Sequence, residues 1–173
     1  MRFTPAAIAM SLLFATVSSV GFTKTADVEI KERSARFMAL GEKAQNAKNL
    51  TAAVDLYETA LAVDPRNRSA FIALAQIANA QKLPGKAIRL YREALTLEPN
   101  DLNALAGQGE ALVQRGAVEK ARQNLSRIKA LCLSTCSQIA RLSGVIKAKE
   151  SALMLSAKSV KPNPTGEAGK KNP

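Results

Sequence analysis

The stretch Arg36–Pro65, RFMALGEKAQNAKNLTAAVDLYETALAVDP, decides the fold, because Ala70–Pro99, AFIALAQIANAQKLPGKAIRLYREALTLEP, carries the same residue types 34 positions later. Phe37 falls on Phe71, Leu40 on Leu74, Ala44 on Ala78, Ala53 on Ala87, Tyr57 on Tyr91, Ala60 on Ala94 and Pro65 on Pro99. A period of this length marks a stack of small supersecondary units, each unable to bury its apolar face alone. A third copy follows with Leu105, Gly109, Leu112, Ala121 and Leu125 in register, but Leu133 stands where the proline would be.

Inside the first copy, Phe37, Leu40, Gly41 and Ala44 lie at i, i+3, i+4 and i+7, one stripe along a helix. Ala53, Leu56, Tyr57, Ala60 and Leu61 make a second stripe of the same period. Between them Ala47-Lys48-Asn49 allows a turn, and the turn is expected at Pro84-Gly85 in the second copy and Gly116 in the third. Asp64-Pro65 and Glu98-Pro99 end the second helices, because proline disfavours helical geometry in the residue before it. Small residues at Gly41, Ala53, Ala60, Ala75, Ala87 and Ala94 let helices approach, while Phe37, Tyr57, Phe71 and Tyr91 fill the space around them.

These positions resemble the tetratricopeptide repeat family, with Phe37, Leu40-Gly41, Ala44, Ala53, Tyr57, Ala60 and Pro65 in its pattern, then Phe71, Leu74-Ala75, Ala78, Ala87, Tyr91, Ala94 and Pro99. The third copy departs from it at Gln108, Leu125, Ile128 and Leu133, as an end repeat does. The resemblance implies an all-α solenoid of about three antiparallel helix pairs over 34–67, 68–101 and 102–133, with a capping helix over 134–157. A helix over Val28–Glu32 would extend the first repeat helix.

It further implies a protein-binding scaffold whose ligand-facing groove runs along the first helix of each copy. The groove positions are then Ala35, Met38, Glu42, Gln45 and Asn46; Ser69, Ile72, Gln76 and Asn79; Asn103, Ala106, Glu110 and Gln114. Members that clamp the carboxylate tail of a chaperone use lysine and asparagine at some of these places. Met38 with Glu42 and Ile72 with Gln76 stand there instead, so that clamp is not expected. Amides in their place can bond an extended peptide's main chain without demanding a charge.

Composition and ends narrow the function. The chain of 173 residues is 47% apolar and has no histidine, which removes the commonest general base at neutral pH and the commonest metal ligand. No phosphate-binding glycine loop or nucleophile-base set is present, so no enzyme activity, cofactor or metal is expected. Residues 1–26 read as a secretory signal, with Arg2 before the apolar run Ala6–Val17 and small residues from Ser18 onward. The mature chain is expected to be periplasmic or secreted after signal cleavage. Residues 158–173 hold three prolines and almost nothing apolar, and read as a disordered basic tail.

Cys132 and Cys136 are the only cysteines, and in an oxidising compartment a structural disulfide is expected of them. The alternatives are a redox-active dithiol or free thiols. Net charge is +11 and uneven: Arg36–Asp101 holds nine Lys or Arg against seven acids, whereas Arg115–Lys161 holds ten against two. Lys120, Arg122, Arg127, Lys129, Arg141, Lys147 and Lys149 form an expected basic surface. It would attract anionic membrane or envelope polymer, or serve solubility alone. Partners are therefore an unidentified protein or peptide in the groove and, as the alternative, an anionic envelope surface. Copies of the chain could also join end to end, and nucleic acid is disfavoured because no aromatics interleave the charges.

Overall fold

The computed structural model describes residues 20–159, and within them every regular element is helical. The helices are α1 (Val20–Asn46), α2 (Leu50–Val63), α3 (Arg68–Ala80), α4 (Pro84–Leu97), α5 (Leu102–Gln114), α6 (Val118–Leu131) and α7 (Ser137–Ser159). They pair as α1/α2, α3/α4 and α5/α6, each pair lies against the next, and α7 lies against both α5 and α6. Residues 1–19 and 160–173, with the expected cleavable segment and tail, fall outside the described residues apart from 20–26 and Lys158–Ser159. Residues 20–26 continue α1 without a break, so this helix begins well before the expected extension at Val28.

Each pair turns by the same local chemistry. Lys48, Lys82 and Gly116 adopt positive φ (63°, 57° and 87°), and they stand 34 residues apart. Around each, two hydrogen bonds close the helix end: Lys48 N–H to Gln45 O and Asn49 N–H to Ala44 O, with the same pair at Lys82/Leu83 and Gly116/Ala117. This is the Schellman ending, whose left-handed residue favours glycine. The second turn therefore sits at Gln81-Lys82-Leu83, three residues before the expected Pro84-Gly85. Pro84 instead opens α4 at its first position, where a missing N–H costs nothing.

The connections between pairs also repeat. Asp64, Glu98 and Cys132, again 34 apart, cap α2, α4 and α6 in extended or near-extended backbone. Pro65 and Pro99 enforce that conformation after the first two. After Cys132 there is no proline, and a disulfide to Cys136 spans the turn instead. Asn67 and Asp101 then cap α3 and α5 by accepting from Ala70 and Ala104 N–H. Both reach back as well: Asn67 donates to the buried Ser34 hydroxyl, which itself donates to Ala60 O, and Asp101 pairs with Arg68 at 2.9 Å.

Close approach carries the packing. A Cβ on Gly41 would lie 2.5 Å from the Tyr57 ring, and one on Gly107 would overlap the Tyr91 ring and hydroxyl. Tyr57 thus rests on its own repeat. Tyr91, facing Ala75 where the first repeat has Gly41, leans on the next. Alanines 53, 60, 75, 87, 94, 104, 111 and 121 are fully buried along these contacts. Leu74 is buried against α2, whereas its counterpart Leu40 is 50% exposed because no helix pair among the described residues packs before it.

The capping helix is in register with the repeats. Ile139, Leu142 and Ile146 stand 34 residues after Leu105, Gln108 and Leu112, and the Leu142 side chain occupies the space over Gly109. So α7 stands as the first helix of a fourth unit, with no second helix among the described residues. Gln108 interrupts the apolar series because it accepts a hydrogen bond from Asn124, which also donates to Leu105 O.

Two sets of variants test this fold by chemical denaturation. Gly116→Ala should lose about 1 kcal/mol from backbone strain alone, since open space surrounds that Cα, while Lys82→Gly should gain up to about 1 kcal/mol. Gly107→Ala should cost about 1–3 kcal/mol, because a rigid buried ring must move. Reduction of the disulfide should cost at most about 2 kcal/mol, the loop-closure value for so short a loop, and leave Cys132→Ser/Cys136→Ser unaffected.

Candidate functional site

The first helices α1, α3 and α5 line up along one side of the stack and form a groove with two joined hollows. The upper one, about 420 Å³, is lined by Met38, Glu42, Gln45 and Asn46 of α1, Ser69, Ile72 and Gln76 of α3, and Asn103 of α5. The lower, about 340 Å³, is lined by Gln76, Asn79, Tyr91, Glu110, Gln114 and Arg141. Gln76 borders both, so one lane runs from Met38 to Gln114. Eleven of the thirteen groove positions expected from sequence come together there. The other two do not: Ala106 is fully buried in the core, and Ala35 lines neither hollow.

Several lining groups were not legible as groove residues. Arg68 and Asp101 enter the upper hollow through the capping contact described above. Tyr57 lines it too, its hydroxyl donating to Gln45 Oε1 at 2.9 Å and so leaving the Gln45 amide N–H groups for other partners. Arg141 belongs to α7, where it was expected on a basic surface. It points instead into the lower hollow, with Nε 2.5 Å from Glu110 Oε1. The reason is the register of α7, which puts its inner face in line with α5. Its signal in the sequence is the spacing of 34 that places Arg141 after Gly107 and Ala73.

The lane holds Glu42, Asp101 and Glu110 against Arg68 and Arg141, one net negative charge in a chain of net charge +11. Two of those acids are answered within the lane, and Glu42 faces it without an ion-pair partner among the described residues. Asn79 Oδ1 is buried and accepts no hydrogen bond from the described residues, a costly state that a donor on a ligand or water relieves. Burial, with Glu110 adding to it and Arg141 opposing it, pushes the Tyr91 phenol up to about 12. Burial and then Glu42 raise that of Tyr57 as well. Both rings are therefore hydroxyl donors at neutral pH, and the lane offers amides, hydroxyls and the Met38 and Ile72 side chains.

Of the other expected basic residues, Arg122, Lys129 and Lys147 border one cleft, and the rest lie apart from it. Arg122 bridges Glu119 and Glu150. Arg127 donates to Pro99 O at 2.7 Å. Lys129 and Lys147 flank a cleft between α6 and α7 of about 510 Å³, floored by Leu125, Ile139 and Ile146. Lys120 lies elsewhere, with Arg92 and Arg115, beside α4 and α5. Lys149 is half-buried on α7.

Comparison with known proteins bears on the fold. Two family models described as tetratricopeptide repeat match residues 38–101 and 78–131, overlapping across the second copy. No curated relative matches the chain in sequence. Among solved structures, the first TPR of Spaghetti (RPAP3) bound to HSP90 peptide SRMEEVD is similar at 18% identity and a TM-score of 0.63, covering 72% of this chain and 95% of that one. The Sgt2 TPR domain from Aspergillus fumigatus is similar at 18% and 0.62, covering 79% and 91%. The N-terminal domain of stress-induced protein-1 (STI-1) from C. elegans gives 17% and 0.58, covering 70% and 97%. At these identities the likeness is one of fold.

The lane's burial has a consequence in alkali. A phenol whose folded pKa lies near 12 against an ordinary 10.0 stabilises the fold fully below pH 10, and this stabilisation is lost as pH rises through 12. Tyrosinate absorbance should therefore appear late in the wild type, and in Tyr91→Phe only the Tyr57 signal remains. The fall in unfolding free energy above pH 10 should shrink in Tyr91→Phe. Ordinary titration of both phenols in the folded protein would refute the burial.

Proposed function

Because this chain belongs to the tetratricopeptide repeat family, a family of protein-interaction scaffolds, we propose that it is a non-enzymatic adaptor that holds an extended segment of a partner protein along the Met38–Gln114 lane. The observation that carries this reading is the buried Asn79 Oδ1, without a partner among the described residues, set in a row of Asn46, Gln76 and Gln114 amides. An extended peptide supplies a main-chain N–H and C=O at every residue, and amides answer both. Met38 and Ile72 add apolar contact at the upper end.

The lane's charge sets the ligand class. With Glu42 unanswered and no lysine in either hollow, it favours neutral or basic segments over acidic ones. The Spaghetti domain named above is bound to an acidic peptide, SRMEEVD. The present lane lacks the charges that would draw such a peptide.

The setting we propose is the bacterial periplasm. Three things support it: the signal-like sequence of residues 1–26, a disulfide that suits an oxidising compartment, and the frequent use of this family in envelope assembly, an analogy of fold alone.

Mild crosslinking in a bacterial envelope followed by co-purification tests the adaptor. Partner recovery should fall at least tenfold when Asn46, Gln76 and Asn79 are changed together to glutamate, with the helical melting transition unchanged. Identical recovery would sink the groove assignment. Labelled SRMEEVD should show no saturable binding to the wild-type chain.

A further inference from the structure

Beyond Glu150 the capping helix leaves the stack. Every described side chain from Ser151 to Ser156 is exposed, and Leu153, Met154 and Leu155 stand 52%, 68% and 69% open to solvent. Nine helical residues, 151–159, project about 14 Å at the rise of an α-helix.

The direction of these side chains restricts what covers them. Successive helical residues turn by about 100°, so Leu153, Met154 and Leu155 together span about 200° of the helix surface. Leu153 continues the Leu142–Ile146 stripe that the stack buries, and the other two turn progressively away from it. A partner helix seated against α7 covers a stripe about 100° wide and leaves at least one of the three in water. An interfacial layer that receives the helix lengthwise takes in all three, one at its centre and two at its flanks, and Lys158, which follows them, reaches the headgroups by its long stem.

The surrounding charge is of one sign. Lys147, Lys149 and Lys158 stand on α7 around this end. The acid nearest to it on the helix, Glu150, is already held by Arg122 at 2.5 Å. An exposed apolar segment with lysines before and after it fits an interfacial anchor on anionic lipid. No helix among the described residues is long and apolar enough to cross a membrane.

We propose that the projecting end of α7 docks the protein on an anionic bilayer, with Leu153, Met154 and Leu155 in the interfacial layer and Lys147, Lys149 and Lys158 against the headgroup phosphates. The peptide lane is formed by α1, α3 and α5, with Arg141 more than two turns back along α7, so both surfaces can be occupied at once. This assignment is independent of the lane's occupant.

Flotation of the purified chain with vesicles provides the test, using phosphatidylcholine alone and an equal mixture with phosphatidylglycerol. The wild type should bind the anionic vesicles at least tenfold more tightly and lose binding as salt rises. Leu153→Ser/Met154→Ser/Leu155→Ser should weaken that binding at least tenfold with an unchanged melting curve. Each of Lys147→Gln, Lys149→Gln and Lys158→Gln should weaken it by about fivefold. Because all share one N-terminus, the Ala6–Val17 run cannot account for a difference between them.

The chain has no tryptophan, so Met154→Trp gives a single reporter whose emission should shift to the blue on anionic vesicles and be quenched by brominated lipid. Binding undiminished in the triple serine variant, or a reporter that stays in water, would overturn the proposal and leave simple adsorption of a basic protein. Self-association that the triple serine variant loses, without vesicle binding by the wild type, would overturn it in favour of a second copy.

Discussion

Two tyrosine rings lying against bare backbone hold this stack to its spacing. Tyr57 presses on Gly41 and Tyr91 on Gly107 at distances that leave no room for a methyl group. Around them fully buried alanines keep the remaining helix faces equally close. Contacts this near give dispersion over many atoms and exclude water from a thin core that contains few large side chains. They also explain why so alanine-rich a chain has one defined arrangement. A ring fits only over a gap, and the gaps fall where Gly41 and Gly107 place them.

The ends of such a stack need separate treatment, because each unit expects a neighbour. At the N-terminal end Leu40 stays half exposed, and the buried Ser34 ties α1 to Ala60 and Asn67 instead. At the C-terminal end α7 enters as the first helix of a fourth unit, with Leu142 filling the space over Gly109 that an aromatic side chain fills elsewhere. The disulfide Cys132–Cys136 holds the turn before it, where the earlier repeats use proline.

Charge divides the molecule between two kinds of work. The lane along the first helices is close to neutral and rich in amides, although the chain carries +11 overall. Most of the excess lies in α6 and α7, where Arg122, Arg127 and Arg141 are tied internally while Lys147, Lys149 and Lys158 stand along α7. A neutral lane suits main-chain recognition of a peptide, and the lysines of α7 suit attraction to a surface at longer range. Holding the protein at a membrane would raise the effective concentration of any partner kept there.

The 34-residue period, the helix pairs, the proline-bounded connections and eleven of the thirteen groove positions could all be read from one-dimensional pattern, since repeat spacing and helical stripes are local properties of the chain. Other features depend on elements distant in sequence. Pro84 looked like a turn residue until hydrogen bonding put the left-handed residue at Lys82, a position no turn propensity favours. Ala106 shares the spacing of its groove neighbours, yet packing of the third repeat buries it. Arg141 is half exposed as a surface charge would be, but its pairing with Glu110 arises only because α7 docks beside α5. The sequence alone determined the repeating scaffold, because its period is written in each copy. The tertiary structure decided which charges face the lane, which pair with one another and which project, because those outcomes depend on how the last helix meets the stack.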